Sequence, residues 1–310
     1  MPDVALVIVN FRSVPDTIAC VEAVRRTAAD VLSEVVVVDN ASGDGSVDEL
    51  RRSLPEVQVI ASEENRGFAA GVNAGVACTR AEHLLVLNPD CEVQEGAVAS
   101  LLERMRAEPG LGVTGPLLLD GDGRPRQDAY KAWPGLWSFF VSLCLPVGHA
   151  LIRTPWHPEV LTPAQIAAAA PVARVCGSAL FVRRGAWNAV GEMDEGYFMY
   201  FEEVEWQRRV AQAGWGIALT KEARVVHLVQ GGEGLETVPL AYLRSAFRYH
   251  RQRGRSSAAI GRVALAGIAL SLGVLAAAGV WPPLAEKAAR MRGGYRRLAA
   301  VARDEARRPA

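Results

Sequence analysis

"LLVLNPDCEV", residues 84–93, runs from four unbroken apolar residues into Asn88-Pro89-Asp90. A strand without polar alternation is covered on both faces, the habit of a central strand in a parallel sheet. Pro89 cannot continue the hydrogen-bond ladder, so the chain should leave the sheet there. Asp90 then lies just beyond the strand's carboxyl end, where open α/β sheets bind their ligands. Asn, Pro and Asp also favour turns for their own sake, so the flanking elements must separate a plain turn from a site.

Those elements alternate. VALVIVNF (4–11), EVVVVDN (34–40) and VQVIA (57–61) read as strands. Ser13 and Asp16 form an S-x-x-D capping box for a helix with Ile18, Val21 and Val24 on one face, and a short helix runs from Val47 to Leu54. NRGFAAGVNAGVACT (65–79) is a loop feeding a small-residue helix whose glycines suit close packing on a sheet. The alternation implies right-handed βαβ units in a parallel sheet, and residues 1–115 read as a nucleotide-binding-type half. Residues 116–234 continue the same domain. An aromatic, proline-rich stretch without clean period gives way to a strand over RVCGSALFVRR (174–184), an acidic helix, and the strand ARVVHL (223–228) before a glycine-rich loop. Residues 235–310 read as a helical, basic extension.

The net charge of zero hides an asymmetry. Residues 244–310 carry 14 basic and 3 acidic side chains, against 20 and 31 in residues 1–243. The basic tail points to an anionic partner such as a membrane surface, and nothing points to nucleic acid. Cys20, Cys78, Cys91, Cys144 and Cys176 show no C-x-x-C spacing, which argues against a zinc site or disulfide framework and fits a reducing compartment. MPDVALVIVNF enters a strand at once, with acid and proline where a secretion signal needs basic charge.

Five places can carry chemistry. Asp39 ends an apolar strand parallel to 84–87, so it should share an edge with Asp90 and can accept from a nucleobase imide or ribose hydroxyl. Asn65, Arg66 and Gly67 open a helix whose free N–H groups, with the Arg66 charge, could face phosphate. Asp90 would meet a nucleotide diphosphate, which a carboxylate approaches only through a bridging cation such as Mg²⁺ or Mn²⁺. In FEEVEW (201–206), Glu202 and Glu203 start a helix that Gly214 ends. They are either ordinary complements of the helix dipole or a source of a general base. Glu203 and Glu205 cannot share a helix face, so at most one reaches the site. His227 ends a strand before a flexible loop, a plausible ligand position.

In order and spacing, VIVNF, VVVDNASGDGS, ENRGFAAGVNAG, LLVLNPD, VCGSALFVRR, VGEMDEGYFMYFEEVEWQRRVAQAGW and ARVVH resemble inverting family 2 glycosyltransferases of the GT-A fold, especially their bacterial rhamnosyltransferase-like branch. The resemblance covers roughly residues 4–228. It implies a Rossmann-like, mostly parallel sheet flanked by helices, here with a C-terminal helical, membrane-associating extension. It implies that Asp39 holds the base of a nucleotide sugar, with Asn10, Asn65, Arg66, Gly67 and Asn73 lining that site. Asp90 resembles the last acid of the D-x-D metal motif, while Asn88 stands where many members have the first. Gly177 falls in the glycine loop beside the acceptor, with Glu202 near the substrate. Glu203 occupies the catalytic-base position, where the branch usually has Asp after Glu. His227 looks like the family's C-terminal metal-binding histidine. The implied donor is a dTDP- or UDP-sugar, dTDP-rhamnose first, and the product is a step in cell-surface polysaccharide synthesis. Asn88 and Glu203, as departures from the pattern, also keep open a degenerate transferase serving as a partner-binding subunit.

The tail fixes the expected location. Val263 to Trp281 is 19 residues without a charge, long enough to approach a bilayer span, and Pro282-Pro283 ends it. Basic clusters flank it on both sides, so a single crossing would strand one of them. A re-entrant or interfacial segment within 255–297 keeps both at the cytoplasmic face and makes the enzyme peripheral or monotopic, acting on a glycan or lipid-linked acceptor. The competing reading is a buried helix or a homodimer contact.

Overall fold

The computed structural model describes residues 4–126, 129–144, 151, 154, 156–167, 172–228, 240–279 and 285–308. The glycine-rich loop expected after His227 and the Pro282-Pro283 stop lie outside the described residues. β1 (Val4–Asn10), α1 (Val14–Ala28), β2 (Leu32–Asp39), α2 (Ser46–Ser53), β3 (Gln58–Ala61), α3 (Phe68–Ala77) and β4 (His83–Leu87) follow the sequence pattern. After them come β5 (Cys91–Val93), α4 (Ala97–Ala107), β6 (Leu111–Leu119), β7 (Ala129–Tyr130), α5 (Leu136–Leu143) and α6 (Pro163–Ala167). β8 (Arg174–Val175), β9 (Ala179–Arg183), α7 (Arg184–Val190), α8 (Glu202–Gln212) and β10 (Gly216–His227) precede the terminal helices α9 (Leu240–Gln252), α10 (Ser257–Ala278) and α11 (Ala285–Arg307).

Among the described residues eight strands form one sheet in the order β3-β2-β1-β4-β9-β6-β10-β5. β3, β2, β1 and β4 pair in parallel, as do β6 and β10, whereas β9 runs antiparallel to both its neighbours. All seven residues of β1 are buried. Val4, Leu6 and Ile8 pack with residues of α1, α2 and α4 on one face, and Ala5, Val7 and Val9 with residues of α3, α7 and α8 on the other. The glycines of α3 let it lie close: a Cβ on Gly71 would come 2.6 Å from Val9 Cγ1.

Three local expectations change. The strand expected over 174–184 breaks at Cys176-Gly177-Ser178, because β8 pairs with β7 in a separate small sheet while β9 enters the main one. Ser13 does not cap the α1 backbone; its hydroxyl donates to Asp16 Oδ2 at 2.6 Å instead. The 223–228 strand is the end of β10, which begins at Gly216 and absorbs a register shift between Thr220 and Arg224.

The chain divides into two compact units. The first comprises residues 1–131, 163–198 and 202–230 and holds the sheet; the second comprises 132–162, 199–201 and 231–310. In the second unit the uncharged stretch is the long helix α10, whose small-residue stripe is buried. Gly267 lies against Leu143 and the Phe140 carbonyl of α5, and Ser271 Oγ donates to the Leu143 carbonyl at 2.8 Å. A Cβ on Gly261 would collide with the Cβ of Ala306 in α11. We therefore expect Gly261→Leu to overpack this seam and lower unfolding stability by about 1–3 kcal/mol, read as a lower denaturant midpoint.

Candidate active site

Parallel register carries three strand ends to one edge. Asn10 lies opposite Asp39, and Ile8 opposite Leu87, so Asn88-Pro89-Asp90 leaves the sheet on the same side as Asp39. Asp39 is buried and firmly held. Its Oδ2 accepts from Asn10 Nδ2 at 2.7 Å and Ser42 Oγ at 2.6 Å, and its Oδ1 accepts from the Ser42 backbone N–H at 3.0 Å. Thr17 Oγ1 donates to Asn10 Oδ1 at 2.8 Å, which fixes the amide's orientation. Asn40 Nδ2 donates to Asn65 Oδ1 at 2.9 Å and to the Gly67 carbonyl at 3.0 Å, anchoring the loop before α3 to the same edge. A cavity of about 320 Å³ opens there, with Asn40, Ser62, Glu64 and Arg66 in its wall.

Two residues expected to line a donor site are engaged elsewhere. Asn73 Nδ2 donates to the Met193 carbonyl at 2.9 Å and its Oδ1 accepts from the Met193 N–H at 3.0 Å, so the amide pins the 193–195 segment. The Arg66 guanidinium pairs with Glu195. Gly67 sits at φ +93° with its Cα against the Phe198 carbonyl, which also accepts from the Phe68 N–H at 3.0 Å. Only glycine fits that approach. The helix start is thus a clamp on the segment leading to the acidic helix.

Asp90 and His227 meet. His227 Nε2 lies 3.2 Å from Asp90 Oδ1, because β5 turns straight back after Pro89 and pairs Cys91 with His227. Ligand atoms of Asp90, Cys91 and His227 fall within 4.8 Å of one another. His227 Nδ1 is buried without a hydrogen-bond partner among the described residues. One carboxylate, one imidazole and a neighbouring thiol fit a divalent cation that completes its shell with ligand oxygens.

The acidic helix is tied to this turn through one short loop. The Ser178 carbonyl accepts from the Asn88 N–H at 2.9 Å and from Cys91 Sγ at 3.3 Å. One residue earlier, a Cβ on Gly177 would come 2.8 Å from Glu203 Cγ. Gln207 holds the loop to α8 by exchanging hydrogen bonds of 2.9 Å with both backbone groups of Val175. Glu205 instead grips Arg209 Nε at 2.9 Å, and Arg209 braces the Glu192 carbonyl at 2.7 Å. Burial raises the Glu203 carboxyl above its ordinary 4.5, and the Arg174 guanidinium pulls it back. Arg174 is buried with its guanidinium 3.5 Å from the centroid of the Tyr130 ring. Sequence reading missed this pair, although a lone arginine within an apolar strand was a signal. Directly before the helix, Tyr200 and Phe201 both adopt positive φ, 69° and 72°, a conformation costly for aromatic residues.

The family model described as Glycosyl transferase family 2 matches residues 5–147. The chain belongs to glycosyl transferase family 2. An N-acetylglucosaminyl-diphospho-decaprenol L-rhamnosyltransferase of Mycobacterium tuberculosis is 31% identical over 208 residues, 62% of this chain and 66% of the relative. The low-salt glycan biosynthesis hexosyltransferase Agl10 of Haloferax volcanii is 26% identical over 233 residues, 73% of this chain and 67% of the relative. This family 2 chain therefore spans about two thirds of the length of these relatives. Among solved structures, GalNAc-T7 with UDP, GalNAc and Mn²⁺ gives a TM-score of 0.58 at 19% identity, covering 79% of this chain and 48% of that one. The mannosyltransferase PcManGT of Pyrobaculum calidifontis, in complex with GDP-Man and Mn²⁺, gives 0.58 at 17% identity, covering 99% and 86%. At such identities the likeness is one of fold, and the fold is GT-A.

Glu202 generates a stability prediction. Its Oε2 is buried without a hydrogen bond among the described residues, and burial followed by the Glu203 charge holds its carboxyl well above 4.5. The folded state then binds a proton that the unfolded state releases, so this group's contribution is favourable below 4.5 and is lost as pH rises toward the folded value. Glu202→Gln should remove that loss. Its melting temperature relative to the parent should rise as pH increases from acid to neutral, measured in a pH series of thermal melts.

Proposed function

We propose that this chain is an inverting, cation-dependent glycosyltransferase that moves a sugar from a nucleoside diphosphate donor to a hydroxyl of a glycan or lipid-linked acceptor. The supporting observation is the Cys176–Ser178 loop, bonded to the Asp90 turn on one side and packed on Glu203 on the other. It joins the Asp90 turn to a half-buried carboxylate whose affinity for protons is raised, a pairing that suits in-line displacement at an anomeric carbon. In this reading residues 1–115 hold the donor, 116–234 bring acceptor and base, and 235–310 seat the enzyme on a membrane.

Asp39 already accepts three hydrogen bonds, and a carboxylate has about four acceptor positions, so one remains for the N–H of a pyrimidine base. Asp90 and His227 would hold Mg²⁺ or Mn²⁺, which supplies charge neutralisation of the departing diphosphate when bound. Glu203 takes the proton of the acceptor hydroxyl as that oxygen attacks, and Gly177 leaves room for the acid to lie in the acceptor's path. Arg174 offsets part of the burial that raises the Glu203 carboxyl. Asn73, Arg66 and Glu195 act as positioning residues that hold the 193–198 segment on α3. The rhamnosyltransferase name of the mycobacterial relative supports dTDP-rhamnose as donor and a polyprenyl-diphosphate-linked acceptor in cell-surface polysaccharide synthesis.

Glu203→Gln should keep donor binding and lower transfer by about 10²–10⁴-fold. Glu205→Gln should retain turnover while losing thermal stability, because its carboxylate is committed to Arg209. Assaying both with dTDP-rhamnose and a synthetic lipid-linked acceptor checks the assignment; an active Glu203→Gln beside a dead Glu205→Gln would reverse it.

For the second unit, we propose a seat on the cytoplasmic leaflet. α10 buries its small-residue stripe and leaves Leu270 and Val274 exposed, and Trp137 of the same unit is 60% exposed. Arg290, Arg296 and Arg297 give α11 an exposed or half-exposed basic character, and each such charge near anionic lipid adds about 1 kcal/mol. The protein should sediment with phosphatidylglycerol vesicles at low salt. Leu270→Asp combined with Val274→Asp should release it without loss of dTDP binding, whereas a parent protein that stays in the supernatant would favour a purely internal role for α10.

A further inference from the structure

The cation site contains a ligand type that a hard-metal transferase does not need. Cys91 Sγ lies within 4.8 Å of the ligand atoms of both Asp90 and His227. Its place is set by backbone pairing, since Cys91 and His227 are opposite each other between β5 and β10 and their side chains fall on one face. Its present hydrogen bond goes to the Ser178 carbonyl at 3.3 Å, and a thiol is a weak donor, so a metal would be the stronger partner. A second thiol, Cys20 of α1, reaches the Asn88 carbonyl at 3.8 Å, so the turn is walled by sulfur on that side. A cavity of about 230 Å³ runs between α1 and the turn, and Asp90, Cys91, Cys20 and Leu228 all line it. An ion thus has a route to Cys91 from the α1 flank.

Donor chemistry separates the ions. Mg²⁺ and Mn²⁺ prefer oxygen ligands, whereas Zn²⁺ takes carboxylate, imidazole and thiolate together in a four-coordinate shell. We infer that Asp90, Cys91 and His227 form a three-ligand site for a thiophilic divalent cation of the Zn²⁺ class, with Cys91 Sγ as a direct ligand. This rests on the proposed role of Asp90 and His227 in holding a cation and adds the thiol to it. As the sulfur–metal bond forms, the S–H proton passes to solvent and the hydrogen bond to Ser178 is given up, with no change of oxidation state. Water fills the fourth position. Zn²⁺ would then compete with the oxygen-preferring ion for the same two residues and displace Cys91 from the loop that contacts Glu203.

Cobalt reads the ligand set directly. The metal-free full chain titrated with Co²⁺ should develop a near-ultraviolet thiolate-to-cobalt absorption band together with visible bands of four-coordinate intensity. Zn²⁺ should abolish both by displacement. Cys91→Ser should lose the near-ultraviolet band and bind Zn²⁺ at least about tenfold more weakly. Cys20→Ser should keep the band, and Asp90→Asn should weaken binding while leaving the sulfur signature. The inference is overturned by cobalt binding without a thiolate band, by a band that survives in Cys91→Ser, or by failure to bind cobalt at all. Since the parent spectrum alone can overturn it, an unstable Cys91→Ser does not protect it. A sulfur band in a protein that transfers no sugar would sink the proposed function and leave this site standing; Mn²⁺-dependent transfer with no sulfur band would do the reverse.

Discussion

The complete burial of β1 is the constraint on which the site depends. Its seven residues are covered because two parallel neighbours and two helical layers close over them, and each large aliphatic side chain removed from water contributes about 1.5–3 kcal/mol. Parallel pairing on both sides leaves no freedom in where the neighbours end. Asn10, Asp39 and the Asn88–Asp90 turn arrive at one edge because the strands that carry them are in register with a strand that cannot slip without exposing its apolar faces. The chemistry is therefore positioned by the core.

From that edge the geometry is passed along by backbone groups. The Ser178 carbonyl serves the Asp90 turn, Gly177 gives way to Glu203, and Gln207 imitates a neighbouring strand by bonding both backbone groups of Val175. Charge is handled in the same economical way. Arg174 keeps its guanidinium inside the protein by lying on the Tyr130 ring, where a buried cation finds a favourable face, and from there it opposes the burial of Glu203. The two acids of α8 next to one another have different fates: Glu202 is driven toward its neutral form, while Glu203 has a counter-charge.

Much of this was legible in the sequence. Unbroken apolar runs ending in Asp39 and Asn88-Pro89-Asp90 announced the sheet edge, and a histidine closing a strand could be singled out before its pairing with β5 brought it to Asp90. What could not be read depended on contacts between distant segments. Asn73 looked like a ligand-facing amide and instead bonds Met193, 120 residues away. Glu203 and Glu205 were equivalent as letters, and only the presence of Arg209 one turn on, with carbonyls waiting at Val190 and Glu192, commits Glu205 to a structural pair. The break of the 174–184 strand was hidden for a similar reason: Cys-Gly-Ser reads as strand continuation unless the β7 partner is known.

The antiparallel strand β9 has a consequence for how the molecule is made. It sits between β4 and β6, yet it is synthesised after both, roughly a hundred residues downstream of β4. Until Ala179–Arg183 leaves the ribosome, β4 presents an unpaired margin that is apolar from Leu84 to Leu87, the kind of surface that recruits other chains. High contact order at the middle of a sheet delays closure and lengthens that exposure. A chain with this strand order should call on holding chaperones while the intervening segment is made, and its yield in a foreign host should follow translation speed across that stretch as well as the stability of the finished fold.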